Sequence, residues 1–227
     1  IIRTIVINLL LIPGLDGTGL LFEPLRKLLD DSIEITVINL NDLSYELLVD
    51  DIVAKMKGSN YILLAESFGG HIAYEVAKRV PNQVDRVIIA ASFLSRPTWL
   101  TSLRRCLPLR LIKTQAFPGK LVNKLTFGNC ASKTLIASFY TALNEIDNEI
   151  IRQRLELVHL LKFERQKVAV PCTYVAAKSD YLISKNCYKE FEYAFSNFDK
   201  FEVEGGHFII QSNPEFFARL ISSIAKE

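Results

Sequence analysis

The sequence predicts an α/β fold: a mostly parallel sheet with helices on both faces, interrupted by one helical insertion. Short, continuous Ile, Val and Leu runs alternate with amphipathic stretches, the pattern of strands buried on both faces and the helices that connect them. The alternation fails after Arg96 and resumes at Cys172; the intervening residues have helical character, several prolines and no convincing strand. A chain of 227 residues with 49% apolar composition is enough for one substantial core.

The first strand spans Ile5 to Ile12, followed by an amphipathic stretch from Leu20 to Leu29 and a second strand from Ile33 to Leu40. A helix over Tyr45 to Met56 leads to a third strand, Tyr61 to Ala65. The next helix runs from Phe68 to Val80; Ile72, Ala73, Val76, Ala77 and Val80 form its apolar stripe, and Pro81 stops it. A further buried strand covers Val84 to Ala91. Beyond the insertion come a strand at Cys172 to Ala177, a helix near Lys185 to Phe195, a strand at Phe198 to Val203 and a last helix at Pro214 to Ala225. Asn213 and Pro214 offer that helix an N-cap and a first-turn proline. Residues 1–95 and 168–227 therefore make the core, and 96–167 the insertion.

The net charge of +2 hides a division. Residues 96–167 hold 13 Lys or Arg against 5 Asp or Glu, leaving 14 basic and 20 acidic residues elsewhere. No nucleic-acid motif accompanies the basic segment, and its host is acidic, so a nucleic-acid partner is not expected. Cys106, Cys130, Cys172 and Cys187 lack metal-like spacing and are expected to be buried free thiols in a reducing compartment. The run from Ile5 to Ile12 is too short to span a bilayer and lacks the flanks of a signal peptide, so the expected location is cytoplasmic. Scattered histidines and the absence of a phosphate-binding G-x-G-x-x-G pattern imply neither a metal nor an organic cofactor.

The chemistry sits at strand ends. Ala65-Glu66-Ser67-Phe68-Gly69 places a serine on a sharp turn between a buried strand and a helix, flanked by small residues, and matches the nucleophile elbow G-x-S-x-G with Ala65 at the first glycine. A serine here also serves as a helix cap, but the preceding strand and following helix favour the nucleophile. Its hydroxyl needs a base. His71 lies within a helix and His159 within the insertion; His207 follows the last strand in a Gly205-Gly206 loop and is the expected base. The imidazole in turn requires a carboxylate to hold its tautomer, and Asp180 lies just past the penultimate strand. The stretch after Ala91 offers no competing acid. Acyl transfer also needs oxyanion donors. The Phe68 amide is one candidate, and the Leu15 amide, in the glycine-rich loop after the first strand, is the second.

The order Ser67, Asp180, His207, the oxyanion loop and the insertion together resemble the α/β-hydrolase family over nearly the whole chain. Pro13, where many members have histidine, and Ala65 depart from its common pattern. The resemblance implies a cap over the active site at residues 96–167. Serine at position 67 argues against the dehalogenase and epoxide hydrolase classes, which use aspartate there. The small size and short cap look similar to pimeloyl-carrier-protein methyl ester esterases of biotin synthesis, which act on an acidic acyl carrier protein. On that reading Arg104, Arg105, Arg110, Lys113, Arg152, Arg154, Lys162 and Arg165 form a positive rim that steers an acidic partner; a solvated basic face is the alternative. Trp99, Phe93, Phe117, Phe127, Phe139 and Phe208 are candidates for an acyl channel, although core packing explains most of them equally well. The expected activity is serine carboxylesterase, with thioesterase and a non-catalytic binding protein of the same fold as alternatives.

Overall fold

The computed structural model describes residues 7–58, 60–97 and 109–226. Six strands form one sheet: β1 (Ile7–Ile12), β2 (Ile33–Val37), β3 (Tyr61–Glu66), β4 (Val84–Ala90), β5 (Cys172–Ala177) and β6 (Phe198–Val203). Their order is β2-β1-β3-β4-β5-β6, and every neighbouring pair is parallel. All six residues of β3 are buried. The edge strands β2 and β6 alternate instead, with Glu34, Thr36, Asp199 and Lys200 among their polar positions. Charged edges of this kind discourage pairing with another chain.

This order fixes where a site can form. The chain leaves β1 for β2 on one side and returns to β3 on the other, so a crevice opens beyond the carboxyl ends of β1 and β3. Such a switch point is the usual ligand position in open parallel sheets. The loop after β1 and the turn after β3 meet there.

The core helices are α1 (Glu23–Arg26), α2 (Tyr45–Lys55), α3 (Gly69–Arg79), α8 (Tyr188–Ala194), α9 (Ile209–Ser212) and α10 (Pro214–Ile224). Between β4 and β5 stand α4 (Leu109–Lys113), α5 (Gly119–Phe127), α6 (Lys133–Glu145) and α7 (Asn148–Leu160). Ser132 caps α6 by accepting from the Leu135 amide, and Asp147 caps α7 by accepting from Glu149. Phe127, Phe139, Tyr140, Ala142 and Val122 form a small apolar cluster completed by Leu21 of the core.

The strands at 172–177 and 198–203 fall where the sequence places them. Other boundaries differ. The stretch 20–29 breaks into a 3₁₀ turn at Leu20–Phe22 and the short α1, with Pro24 in the first turn of α1. β2 stops at Val37, where the Ile38 amide makes the last ladder bond to the Leu11 carbonyl; the Leu40 amide then turns to the Gly17 carbonyl in the loop after β1. Asn213 stands at the N-cap of α10 and Pro214 in its first turn, as the sequence places them, but the Asn213 side chain makes no cap bond; its amide donates to the Glu204 carbonyl at 2.8 Å instead. Cys172 and Cys187 are buried free thiols, but Cys130 is exposed because it lies beyond the end of α5 on the cap surface. Trp99, Arg104, Arg105 and Cys106 lie outside the described residues. Among those described, no helix is long and apolar enough to cross a membrane.

Candidate active site

Ser67 follows β3 with φ of 49°, in the left-handed region that non-glycine residues rarely adopt. The surrounding bonds hold it there. Its amide donates to the Ala90 carbonyl at 3.0 Å, and its carbonyl accepts from the Ser92 hydroxyl and the Gly70 amide. Tyr174 supports Ser92 from β5 by donating to its carbonyl at 2.8 Å. The small residues of the motif have visible reasons. A β-carbon at Gly69 would stand 2.6 Å from the Pro13 carbonyl oxygen and 2.7 Å from that of Ile12, both unyielding backbone. One at Gly70 would collide with Ser92.

His207 Nε2 lies 2.8 Å from Ser67 Oγ, and its Nδ1 lies 2.8 Å from Asp180 Oδ2. The other Asp180 oxygen accepts from the amides of Leu182 at 2.8 Å and Ile183 at 3.1 Å. All three side chains are largely buried. Burial alone would lower the basicity of His207, but the Asp180 carboxylate outweighs it and holds the imidazole above its ordinary range. Burial likewise opposes ionisation of Asp180, yet the imidazole and the two amides keep its carboxyl below the usual value. The three residues, distant in sequence, thus form a continuous hydrogen-bonded relay.

The loop carrying His207 is held by the helical segment between β4 and β5. The Phe208 amide donates to the Thr126 carbonyl at 3.0 Å, and Gly128, which ends α5 at φ of 62°, lies against Gly205 and Gly206. A β-carbon at Gly206 would stand 2.4 Å from the Gly128 nitrogen. Gly206 therefore does more than permit a tight loop: it admits the backbone at the end of α5, while Gly205 supplies a φ of 133°.

A cavity of about 270 Å³ opens over the relay. Ser67, His207, Gly14 and Leu15 form its floor, while Leu109, Ile112, Phe139, Ala142, Leu143 and Phe208 supply apolar wall. Leu15, in the loop after β1, lines the cavity, and Phe68, fully buried, directly precedes α3. A larger cleft of about 800 Å³ lies at the junction of cap and core, lined by Arg96, Lys162, Arg165 and Lys189 among others, and contains none of the relay residues.

Several expected site residues stand elsewhere. Phe93 is buried in the main core rather than in the cavity wall, and Phe127 packs behind Phe139 and Phe208 with ring centroids 5.8 and 5.3 Å away. Phe117 packs at the margin of the same cluster. His71, within α3, is buried edge-on against Tyr45, and burial drives its pKa down to about 4. Arg154, expected on an exposed rim, is only 3% accessible and turns inward from α7. Among the described residues, the other basic side chains of that set do not make one rim. Arg110 and Arg152 share a cleft with Asp147 and Glu149, while Lys162 and Arg165 belong to the cleft at the cap junction.

Glu66 is the site residue that the sequence did not single out. It lines the cavity, is buried, and accepts from Gln211 Nε2 at 2.8 Å. Burial, reinforced by the nearby Asp16 carboxylate, pushes its pKa up to about 7. The only sequence signal was its place at the end of an otherwise apolar strand run.

This fold and site define a hydrolase of the α/β-hydrolase type. The chain belongs to the family described as serine aminopeptidase, S33, whose model matches residues 39–201. No curated protein matches it significantly. Among solved structures, it resembles the enol-lactonase of Burkholderia xenovorans LB400 (13% identity, TM-score 0.80) and the esterase EaEST of Exiguobacterium antarcticum (16%, 0.81), covering 97% of this chain and 92% of theirs in both cases. The hydrolase olei00960 of Oleispira antarctica is similar at 12% identity and TM-score 0.79, covering 97% of this chain and 91% of that one.

Proposed function

We propose that the protein is a serine carboxylesterase working through an acyl-enzyme. The observation that carries this reading is the Ser67–His207–Asp180 relay at the floor of a cavity with a largely apolar wall. In the proposed reaction Ser67 Oγ attacks the ester carbonyl while His207 Nε2 takes its proton, and Asp180 holds the imidazolium. The Leu15 and Phe68 amides stabilise the oxyanion. Collapse expels the alcohol with the proton from His207; water activated by the same histidine then releases the acid and regenerates Ser67.

The apolar wall favours an aliphatic acyl group, each buried CH₂ contributing about 0.8 kcal/mol. The finer proposal is a carrier-bound acyl chain, the pimeloyl methyl ester of biotin synthesis, supported by the sequence resemblance and the basic composition of the cap. An acidic carrier would meet exposed charges such as Arg110 and Lys162, since Arg154 is buried. The enol-lactonase and esterase neighbours support ester chemistry without selecting the acid.

The test is hydrolysis of a short p-nitrophenyl ester by wild type and Ser67→Ala. The expected result is wild-type turnover and a loss of roughly 10⁶ in the variant. Equal rates in both, or no wild-type activity with esters or thioesters, would leave the non-catalytic reading of the fold.

A further inference from the structure

We infer that Arg154 is a positioning residue for this reaction: from the cap it clamps the loop that carries the Leu15 amide, making cap and oxyanion site one mechanical unit. The inference rests on the proposed roles of Ser67 and Leu15.

The segment Gly14 to Gly19 contains three glycines and is intrinsically permissive. Its internal ties are local: the Gly17 amide donates to the Gly14 carbonyl at 3.1 Å, and Asp16 Oδ2 accepts from the Thr18 amide and hydroxyl. A donor aimed at an oxyanion must nevertheless be fixed before the charge develops. Arg154 supplies the outside constraint. One guanidinium nitrogen, Nη1, donates to the Leu15 carbonyl at 2.8 Å, and Nη2 donates to the Leu40 carbonyl in the loop after β2. The Leu40 amide in turn donates to the Gly17 carbonyl at 2.9 Å. The side chain thus joins three elements: α7 and the loops that follow β1 and β2.

The loop is shaped to receive it. Gly17 has φ of 68°, and a β-carbon there would stand 2.3 Å from Nη1 and 2.7 Å from Nη2. Burial opposes the charge on Arg154 while the Asp16 carboxylate supports it. A planar fork with two separated donors suits two carbonyls; the single ammonium of lysine does not span both in the same way. Holding the Leu15 carbonyl restricts rotation of the residue whose amide faces the substrate oxygen. A positioning role of this kind affects the chemical step more than ground-state binding.

The experiment compares wild type, Arg154→Met and Arg154→Lys for kcat and KM on a short neutral p-nitrophenyl ester, and for the rate of reaction with an alkyl fluorophosphonate. Arg154→Met should lower kcat by ~10- to 100-fold with KM changed less than ~3-fold, and slow phosphonylation in parallel. Arg154→Lys should fall between Met and wild type. Undiminished kcat in folded Arg154→Lys and Arg154→Met, or a loss confined to KM, overturns the inference. If Arg154→Met does not fold, Arg154→Lys decides: reduced kcat and slowed phosphonylation support the clamp, and wild-type values refute it. A wild type inert to both ester and phosphonate overturns the nucleophile reading and this inference with it, whereas a reactive wild type with indifferent variants overturns the inference alone.

Discussion

Glu66 shows how one residue alters a site whose relay is complete without it. Its carboxyl keeps a proton up to about pH 7, whereas an unfolded glutamate releases it near 4.5. The native state therefore binds more protons between those values, and stability falls as pH rises through this window. Glu66→Gln keeps an acceptor for Gln211 and should abolish that loss. Urea unfolding at pH 8 should find the variant more stable by about 1–3 kcal/mol, with the difference closing toward pH 4. The ionised Glu66 also raises the basicity of His207, although less than Asp180 does. The rising limb of kcat/KM against pH, which reports loss of the His207 proton, should therefore lie above the ordinary histidine range and move to lower pH in Glu66→Gln. The relay itself was legible because its members must occupy strand ends in a fixed chain order. Glu66 was not, because a carboxylate beside a serine reads as a surface residue unless the cavity that buries it is known.

At the scale of elements, the join between β3 and α3 is the most constrained. The carbonyls of Ile12 and Pro13 leave no room beside Gly69, so Gly69→Ala should cost about 2 kcal/mol or more and lower Tm by ~4–8 °C in a thermal melt. Under the proposed esterase function, helix α6 sets acyl capacity. Ala142 is fully buried and faces the cavity, so Ala142→Phe should reduce kcat/KM for octanoyl esters ~10-fold or more while leaving acetyl esters within ~3-fold. A p-nitrophenyl ester series measures both. Strands β5 and β6 could be read to the residue, since Pro171 and the turn at Ser196-Asn197 punctuate them. The end of β2 could not, because the same Ile and Leu residues suit a strand or a loop until the last pair with β1 is known and the Gly17 carbonyl claims the Leu40 amide. The N-cap position of Asn213 was legible, but the use of its side chain was not, because the Glu204 carbonyl that takes its amide comes near it only in the folded chain.

Over the whole molecule, the described helices between β4 and β5 contact the loops of the proposed site through Thr126 with Gly128 on the His207 loop and through Arg154 on the Leu15 loop. Composition revealed a basic insertion but not that its charges would divide between a buried clamp and separate surface clefts, because helix faces acquire direction only on docking. The parallel sheet was legible because two-sided burial demands continuous apolar strands. Its switch point brings the loop after β1 to the turn after β3, and the central claim is that Ser67 at this junction is the nucleophile. The most direct measurement is intact-mass and peptide mapping after reaction with an alkyl fluorophosphonate, using His207→Ala as a control. A single adduct on Ser67 in wild type, formed at least ~100-fold more slowly in His207→Ala, is the expected result. An adduct on another residue, or ester turnover that survives complete modification of Ser67, would contradict the account.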